Sequence, residues 1–296
     1  MSSAYIEAAS ARSTVRFPRW KLAAGKIALG LVALCFSVVP ATALDGYPSP
    51  QSGSQPDSMV RRPQARSEQE RSDFNADYAL TGAAKEETAA IDFSNKFPTS
   101  ELRRYLYSSA MLQYQRENNP AKMLTMGERV LALDPDNPLA LVLTATALAD
   151  SLGDHDRERD KKVSTIRHNA SRAIQAADAS YPDTAGEAGV YKTTLQSMAY
   201  SALGIMKLKT GDDAGAEKDL KMATDLAKIR PDGYAWYHLA LAQDHRKKYA
   251  AALSSVEQAL QLASSDPELQ KLAEVEHERL AGLARGSRNG SSTEPQ

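Results

Sequence analysis

Two apolar stripes at helical spacing lie back to back in residues 233–267, with small residues where they would touch. Trp236, Leu239 and Ala240 fall on one face of a first helix, and Ala252, Val256 and Ala259 on one face of a second. Lys247, Lys248 and Tyr249 make the turn between them. A helix with a single stripe must bury it against another element, so the pattern predicts an antiparallel helix pair.

The pattern recurs. Tyr200, Leu203 and Gly204 open an earlier copy 36 residues before Trp236, Thr210-Gly211-Asp212 supplies a helix-ending turn, and Ala216, Leu220 and Ala223 follow. Further upstream, Tyr107, Ala110 and Tyr114 lead through Glu117-Asn118-Asn119-Pro120 into Met123, Val130 and Leu131, closing at Leu133-Asp134-Pro135. Leu141, Ala145 and Leu148 begin the next copy 34 residues after Tyr107. The 59 residues from Leu141 to Tyr200 exceed that interval by 25. This surplus is read as two lengthened helices, roughly 156–179 and 187–209, separated by Ser180-Tyr181-Pro182-Asp183.

Over about residues 100–265 this arrangement resembles the tetratricopeptide repeat, of a bacterial exported type. The resemblance implies an all-α fold, a right-handed α-solenoid of antiparallel helix pairs. Its units fall at about 104–137, 138–182, 187–230 and 233–267, and a capping helix at 268–284 closes a repeat domain over 85–285. A short helix near 85–97, with Ile91, Phe93 and Phe97 on its apolar edge, caps the other end. An irregular helical bundle would carry the same stripes but would not require small residues to recur at contact positions. The first unit departs from the family pattern, with Met111 at a small position and Gly127 at a bulky one, which predicts a looser or rotated contact there. Trp236 is expected to be a packed core residue.

The first 43 residues differ in kind. Arg12, Arg16, Arg19, Lys21 and Lys26 precede an apolar run at 27–39, and Ala41-Thr42-Ala43 then offers small residues to a signal peptidase. A run of 13 residues is short for a membrane span of about 20, so export with cleavage after Ala43 is the leading expectation. An uncleaved inner-membrane anchor is the alternative, since Leu22, Ala23 and Ala24 extend the run if Lys26 snorkels. Both place the repeats outside the cytoplasm, in the periplasm or beyond. Lipid attachment at Cys35 fits poorly because Leu34 precedes it within the run. Residues 44–84, rich in Pro, Ser, Gln and Arg, are expected to be a disordered linker, and 286–296 a frayed tail.

Without residues 1–43 the chain carries 31 Lys plus Arg against 36 Asp plus Glu and no cysteine. A mildly acidic chain without a basic stripe is a poor match for nucleic acid, and one without cysteine holds together by core packing alone. A membrane contact is expected only if the signal segment is retained. The chain has no glycine-rich phosphate loop, Gly-x-Ser-x-Gly elbow or His-Glu-x-x-His, and no catalytic, metal or cofactor residues are assigned. His238 and His245 are seven apart, too far for two rings on one helix to reach one ion. Asn169-Ala170-Ser171 matches a glycosylation acceptor by letter, but a helical context makes it a coincidence.

Function is therefore expected from surface. In the family resembled, the first helix of each pair lines the concave face, where a partner's peptide or helix is held. By that implication the groove residues are Ser108, Gln115 and Arg116 in the first unit, Thr146 and Asp150 in the second, Ile205 and Lys209 in the third, and Tyr237, Asp244 and His245 in the fourth. The expected role is a non-catalytic protein-binding adaptor or scaffold of the bacterial envelope. A structural homo-oligomer is the alternative. Phe97-Pro98-Thr99-Ser100 with Leu102 and Tyr105 also resembles the start of the helical repeats in outer-membrane protein assembly lipoproteins.

Overall fold

The computed structural model describes residues 64–180 and 186–290, with the side chains of 187 and 286–290 excepted. The expected signal segment, the expected linker as far as residue 63, residues 181–185 and the expected tail from 291 lie outside the described residues.

Polar side chains and prolines set the helix starts. Asn119 accepts from the Lys122 N–H at 3.2 Å and Asn137 from Ala140 at 3.0 Å, each followed by a proline that needs no amide partner. Asp212 accepts from Gly215 at 2.9 Å, Asp232 from Tyr234 at 2.9 Å, and Asp266 from Leu269 at 3.1 Å. The resulting order is α1 (Glu68–Tyr78), α2 (Ala83–Lys96), α3 (Arg103–Arg116), α4 (Pro120–Leu133), α5 (Pro138–Ser151), α6 (Arg159–Ser180), α7 (Gly186–Lys209), α8 (Asp213–Leu226), α9 (Gly233–His245), α10 (Tyr249–Leu262) and α11 (Pro267–Gly290). Each helix packs on the next, and no strand occurs among the described residues.

Three of the four pairs share one turn. Asn118, Gly211 and Lys247 take left-handed backbone, with φ of 54°, 83° and 59°. The amide that follows each reaches back five residues: Asn119 to Tyr114, Asp212 to Lys207 and Lys248 to Gln243, all at 2.9 Å. This C-cap satisfies helix-end carbonyls and reverses the chain in three residues. The same turn at the same place in α3–α4, α7–α8 and α9–α10 makes these pairs structural repeats. The fold is an all-α solenoid of antiparallel helix pairs.

Small residues set how closely the helices approach. A Cβ added at Gly204 would stand 2.5 Å from Leu220 Cγ on α8, and one at Gly127 would stand 2.6 Å from Thr144 Cγ2 on α5 and 3.4 Å from Met111 Sδ on α3. The contact expected to be loose is therefore tight, because the bulky Met111, fully buried, fills the space that Gly127 leaves. Large and small have changed places between the two helices.

Two apolar clusters result, one from α2 to α9 and a smaller one over α9, α10 and α11. Trp236 packs against both and is only half-buried, so it is a bridge and not the core residue its spacing suggested.

The ends differ from expectation. Within the segment expected to be disordered, Ser67 caps α1 through the Glu70 N–H at 3.1 Å, and the Glu70 carboxylate accepts in return from the Arg66 N–H at 2.6 Å. Phe74 then meets Phe93 and Tyr105, which docks α1 on α2 and α3. The composition of 44–84 hid a capping box and one aromatic anchor. At the other end α11 continues through 286–290, into the expected tail.

Candidate functional site

The helix contacts decide which face is concave. The first helices α5, α7 and α9 touch one another in succession, whereas α4, α6, α8 and α10 make no comparable contact among themselves. A stack whose first helices converge and whose second helices splay bends toward the first helices, so these line the inner face.

At the N-terminal end Ser108 is half-buried and donates to Arg104 O at 2.7 Å, Gln115 is half-buried, and Arg116 is exposed with Nη1 on Gln113 Oε1 at 2.7 Å. Ile205 is 4% exposed and packs in the main cluster, so it does not face the groove. Thr146 is 8% exposed and its Oγ1 has no hydrogen-bond partner among the described residues. In the last unit α11 occupies the expected surface. Its Arg279 pairs with Asp244 and with Glu276, and Glu276 with Arg279 also acts on half-buried Tyr237, whose phenol burial pushes up to about 12. His245 turns to α8, Nδ1 at 2.9 Å from Asp213 Oδ1.

The structure brings together Asp150 and Lys209. Lys209, the last residue of α7, donates from Nζ to Ala149 O at 2.9 Å and Asp150 O at 2.7 Å, the orphan carbonyls at the end of α5. Arg159 of α6 donates to Gly153 O at 2.6 Å and to Lys209 O, which ties three helix ends together. The left-handed C-cap of the other pairs is missing here, and a lysine from a neighbouring unit supplies it. The Asp150 carboxylate has no hydrogen bond or ion pair among the described residues.

Two residues that the sequence reading did not place in the groove face this junction. Asp232, the cap of α9, acts electrostatically on Asp150, and His238 on α9 feels Lys209. His238 holds its Nδ1 2.8 Å from Tyr234 O, so Nδ1 carries the proton and donates. Burial and the Lys209 charge hold its pKa down at about 4, against the raising effect of that bond. Burial pushes the Asp150 carboxyl up to about 6, with Asp232 adding to the rise and Lys209 opposing it. Burial also raises Asp232 and lowers Lys209. All four keep part of their surface open, as side chains on the floor of a groove do. The signal for Asp232 was present in the sequence, as an Asp immediately before an apolar helix.

Asn169, the glycosylation letter match, is buried and donates from Nδ2 to Thr144 Oγ1 at 2.9 Å, joining α5 to α6. A small cleft lined by Thr99, Ser100, Glu101, Arg103, Arg104 and Leu133 lies before α3, away from this junction. No helix among the described residues is long and apolar enough to cross a membrane, and they hold no group of three or more ligands suited to a metal ion.

No family model matches this chain, and no curated protein does. Among solved structures it is similar to a thermophilic TPR protein of Thermus thermophilus, at 15% identity and a TM-score of 0.43, over 70% of this chain and 98% of that one. It is also similar to a double mutant of MamA RS-1, at 18% identity and a TM-score of 0.34, over 62% of this chain and 96% of that one.

Proposed function

We propose that this chain is a non-catalytic adaptor of the bacterial envelope that holds an extended peptide or a helix of a partner protein along the inner face of its solenoid. The observation that carries the reading is the convergence of α5, α7 and α9, which sets partly open polar side chains on the floor of a concave surface. Backbone-rich, elongated ligands fit such surfaces because successive units repeat one geometry along them. The basic residues and 13-residue apolar run at the N-terminus support export. Affinity capture from envelope extract tests the reading, comparing the native chain with Gln115→Ala/Arg116→Ala, checked for an unchanged helical signal. Equal capture by the two sinks it. N-terminal sequencing tests export, with a mature start near Leu44 expected and a start before Ile27 supporting an anchor instead.

Self-association is a second reading, favoured by Val275 and Leu283, which are 50% and 37% exposed on α11. Light scattering on a size-exclusion column separates it from the first, and a concentration-independent monomer excludes it.

A further inference from the structure

Asp150 is a partly open carboxylate on the groove floor with no hydrogen bond or ion pair among the described residues. The charged groups acting on it are Lys209 from α7 and Asp232 from the start of α9. The Lys209 ammonium is spent on the Ala149 and Asp150 backbone carbonyls, and Lys209 O is held by Arg159, whose Nη1 also stands 3.7 Å from Asp154 Oδ1. The junction therefore holds two partly open acids that repel each other, and one lysine whose ammonium hydrogen-bonds to the backbone while its charge still favours the ionised Asp150. Partly burying a carboxylate that has no hydrogen-bond donor costs free energy that a bound donor recovers.

A second observation points the same way. Thr146 lies one turn before Asp150 on the same face of α5, and its buried Oγ1 lacks a partner. An unpartnered hydroxyl one turn from an unpaired carboxylate leaves both short of hydrogen-bond donors, which is what a ligand rich in N–H groups supplies. One carboxylate and one hydroxyl are too few oxygens for a dedicated divalent-metal cage. A flexible or forked organic cation, held in place by the rest of a peptide, needs no more.

We infer that the α5–α7–α9 junction is a subsite for a cationic side chain, a lysine or arginine of the partner protein, received by Asp150 with Thr146 behind it. This inference rests on the groove reading and adds the partner's chemistry to it. The ionised form of Asp150 is the one that binds. Cation binding therefore draws its carboxyl below its unbound value of about 6, and affinity is full above that pH and falls below it.

The test is fluorescence anisotropy on the intact chain, with labelled peptides of about twelve residues in which alanines alternate with lysine, glutamine or glutamate. The lysine peptide binds best, and Asp150→Asn, which keeps shape and removes charge, weakens it by about tenfold, the effect of one charge-assisted hydrogen bond. Native affinity for the lysine peptide declines between about pH 8 and about pH 5, while Asp150→Asn shows no such decline. Circular dichroism confirms that the variant is folded. Equal affinity for the lysine and glutamine peptides, or an Asp150→Asn affinity equal to native, overturns the cation subsite. If the glutamine or glutamate peptide binds as tightly and Gln115→Ala/Arg116→Ala abolishes that binding, the groove stands and the subsite falls. If no peptide binds at all, both fall.

Discussion

The same substitution, glycine to alanine inside a helix, should have opposite signs at two places in this chain. In an exposed helix Gly→Ala stabilises by about 0.5–1 kcal/mol, because alanine has fewer unfolded conformations to lose. Gly282 on α11 meets that case: it is exposed, its φ is not positive, and an added Cβ has nothing within 4 Å. Gly204 on α7 does not. Its Cβ would stand 2.5 Å from Leu220 Cγ, 3.0 Å from Cδ2 and 3.2 Å from the Leu220 backbone nitrogen. Leu220 is fully buried and cannot swing into solvent, and the backbone atom cannot yield unless α8 shifts. Overpacking of this kind costs about 1–3 kcal/mol, so after the propensity gain Gly204→Ala should lose about 1–2 kcal/mol net. In a domain of this size that is a fall in melting temperature of roughly 2–8 °C, against a rise for Gly282→Ala. Urea titration followed by helical circular dichroism measures both. A double-mutant cycle gives the cause: on a Leu220→Ala background, where the two side-chain clashes are gone and only the 3.2 Å contact with the backbone nitrogen remains, the cost of Gly204→Ala should shrink. If Gly204→Ala raises the midpoint as Gly282→Ala does, α7 and α8 do not approach as described.

Lys247 holds left-handed backbone at φ 59° in the turn where the equivalent third-pair residue is Gly211, so Lys247→Gly should stabilise by about 0.5–1 kcal/mol in a thermal melt. Trp236→Ala should cost about 2–3 kcal/mol, below the 3–5 of a fully buried aromatic, and should split one urea transition into two as the clusters it bridges uncouple. Asp150 and His238 oppose each other in pH dependence. A raised carboxyl binds extra protons in the folded state between about 3.8 and about 6, so its contribution falls as pH rises there; a lowered imidazole binds fewer between about 4 and 6.5, so its contribution falls as pH drops. Asp150→Asn should therefore stabilise by about 1–2 kcal/mol at neutral pH and make unfolding steeper toward acid, as measured by urea midpoints across that range.

The pairing of helices was legible because it rests on residues that act locally. Trp236, Leu239 and Ala240 report their face by spacing alone, and Pro120, Pro138 and Gly211 report where a helix begins or a turn reverses. The exposure of individual groove residues was less legible, because it depends on a neighbour several tens of residues away. Ile205 sits at a position the repeat assigns to the groove, yet its apolar side chain is taken into the α2–α9 cluster. Asp244 sits at another, and α11 reaches over it with Arg279. The Met111–Gly127 exchange was visible as two anomalies and became one complementary contact only when both helices were in place. Composition misled at 68–78, where charged residues surround the Phe74 ring that docks α1.

The irregular pair is also where the candidate site lies, and the two facts have one physical origin. In α3–α4, α7–α8 and α9–α10 a left-handed C-cap closes the first helix from within its own unit. After α5 the chain runs on through 152–158, and the α5 carbonyls are satisfied from outside by Lys209, the last residue of α7. Surrendering the local cap couples two units through one side chain, whose ammonium is held on the backbone carbonyls and makes no ion pair with the Asp150 carboxylate while its charge still acts on it. Lys209→Met should therefore do two things at once. It should lower stability by about 1–3 kcal/mol through the uncapped α5 carbonyls, and it should raise the Asp150 carboxyl further, by removing the one charge that opposes the rise. Urea midpoints measure the first effect, and titration of the Asp150 carboxyl by NMR measures the second. A variant that loses stability while that titration stays in place would show the lysine to be a cap and nothing more.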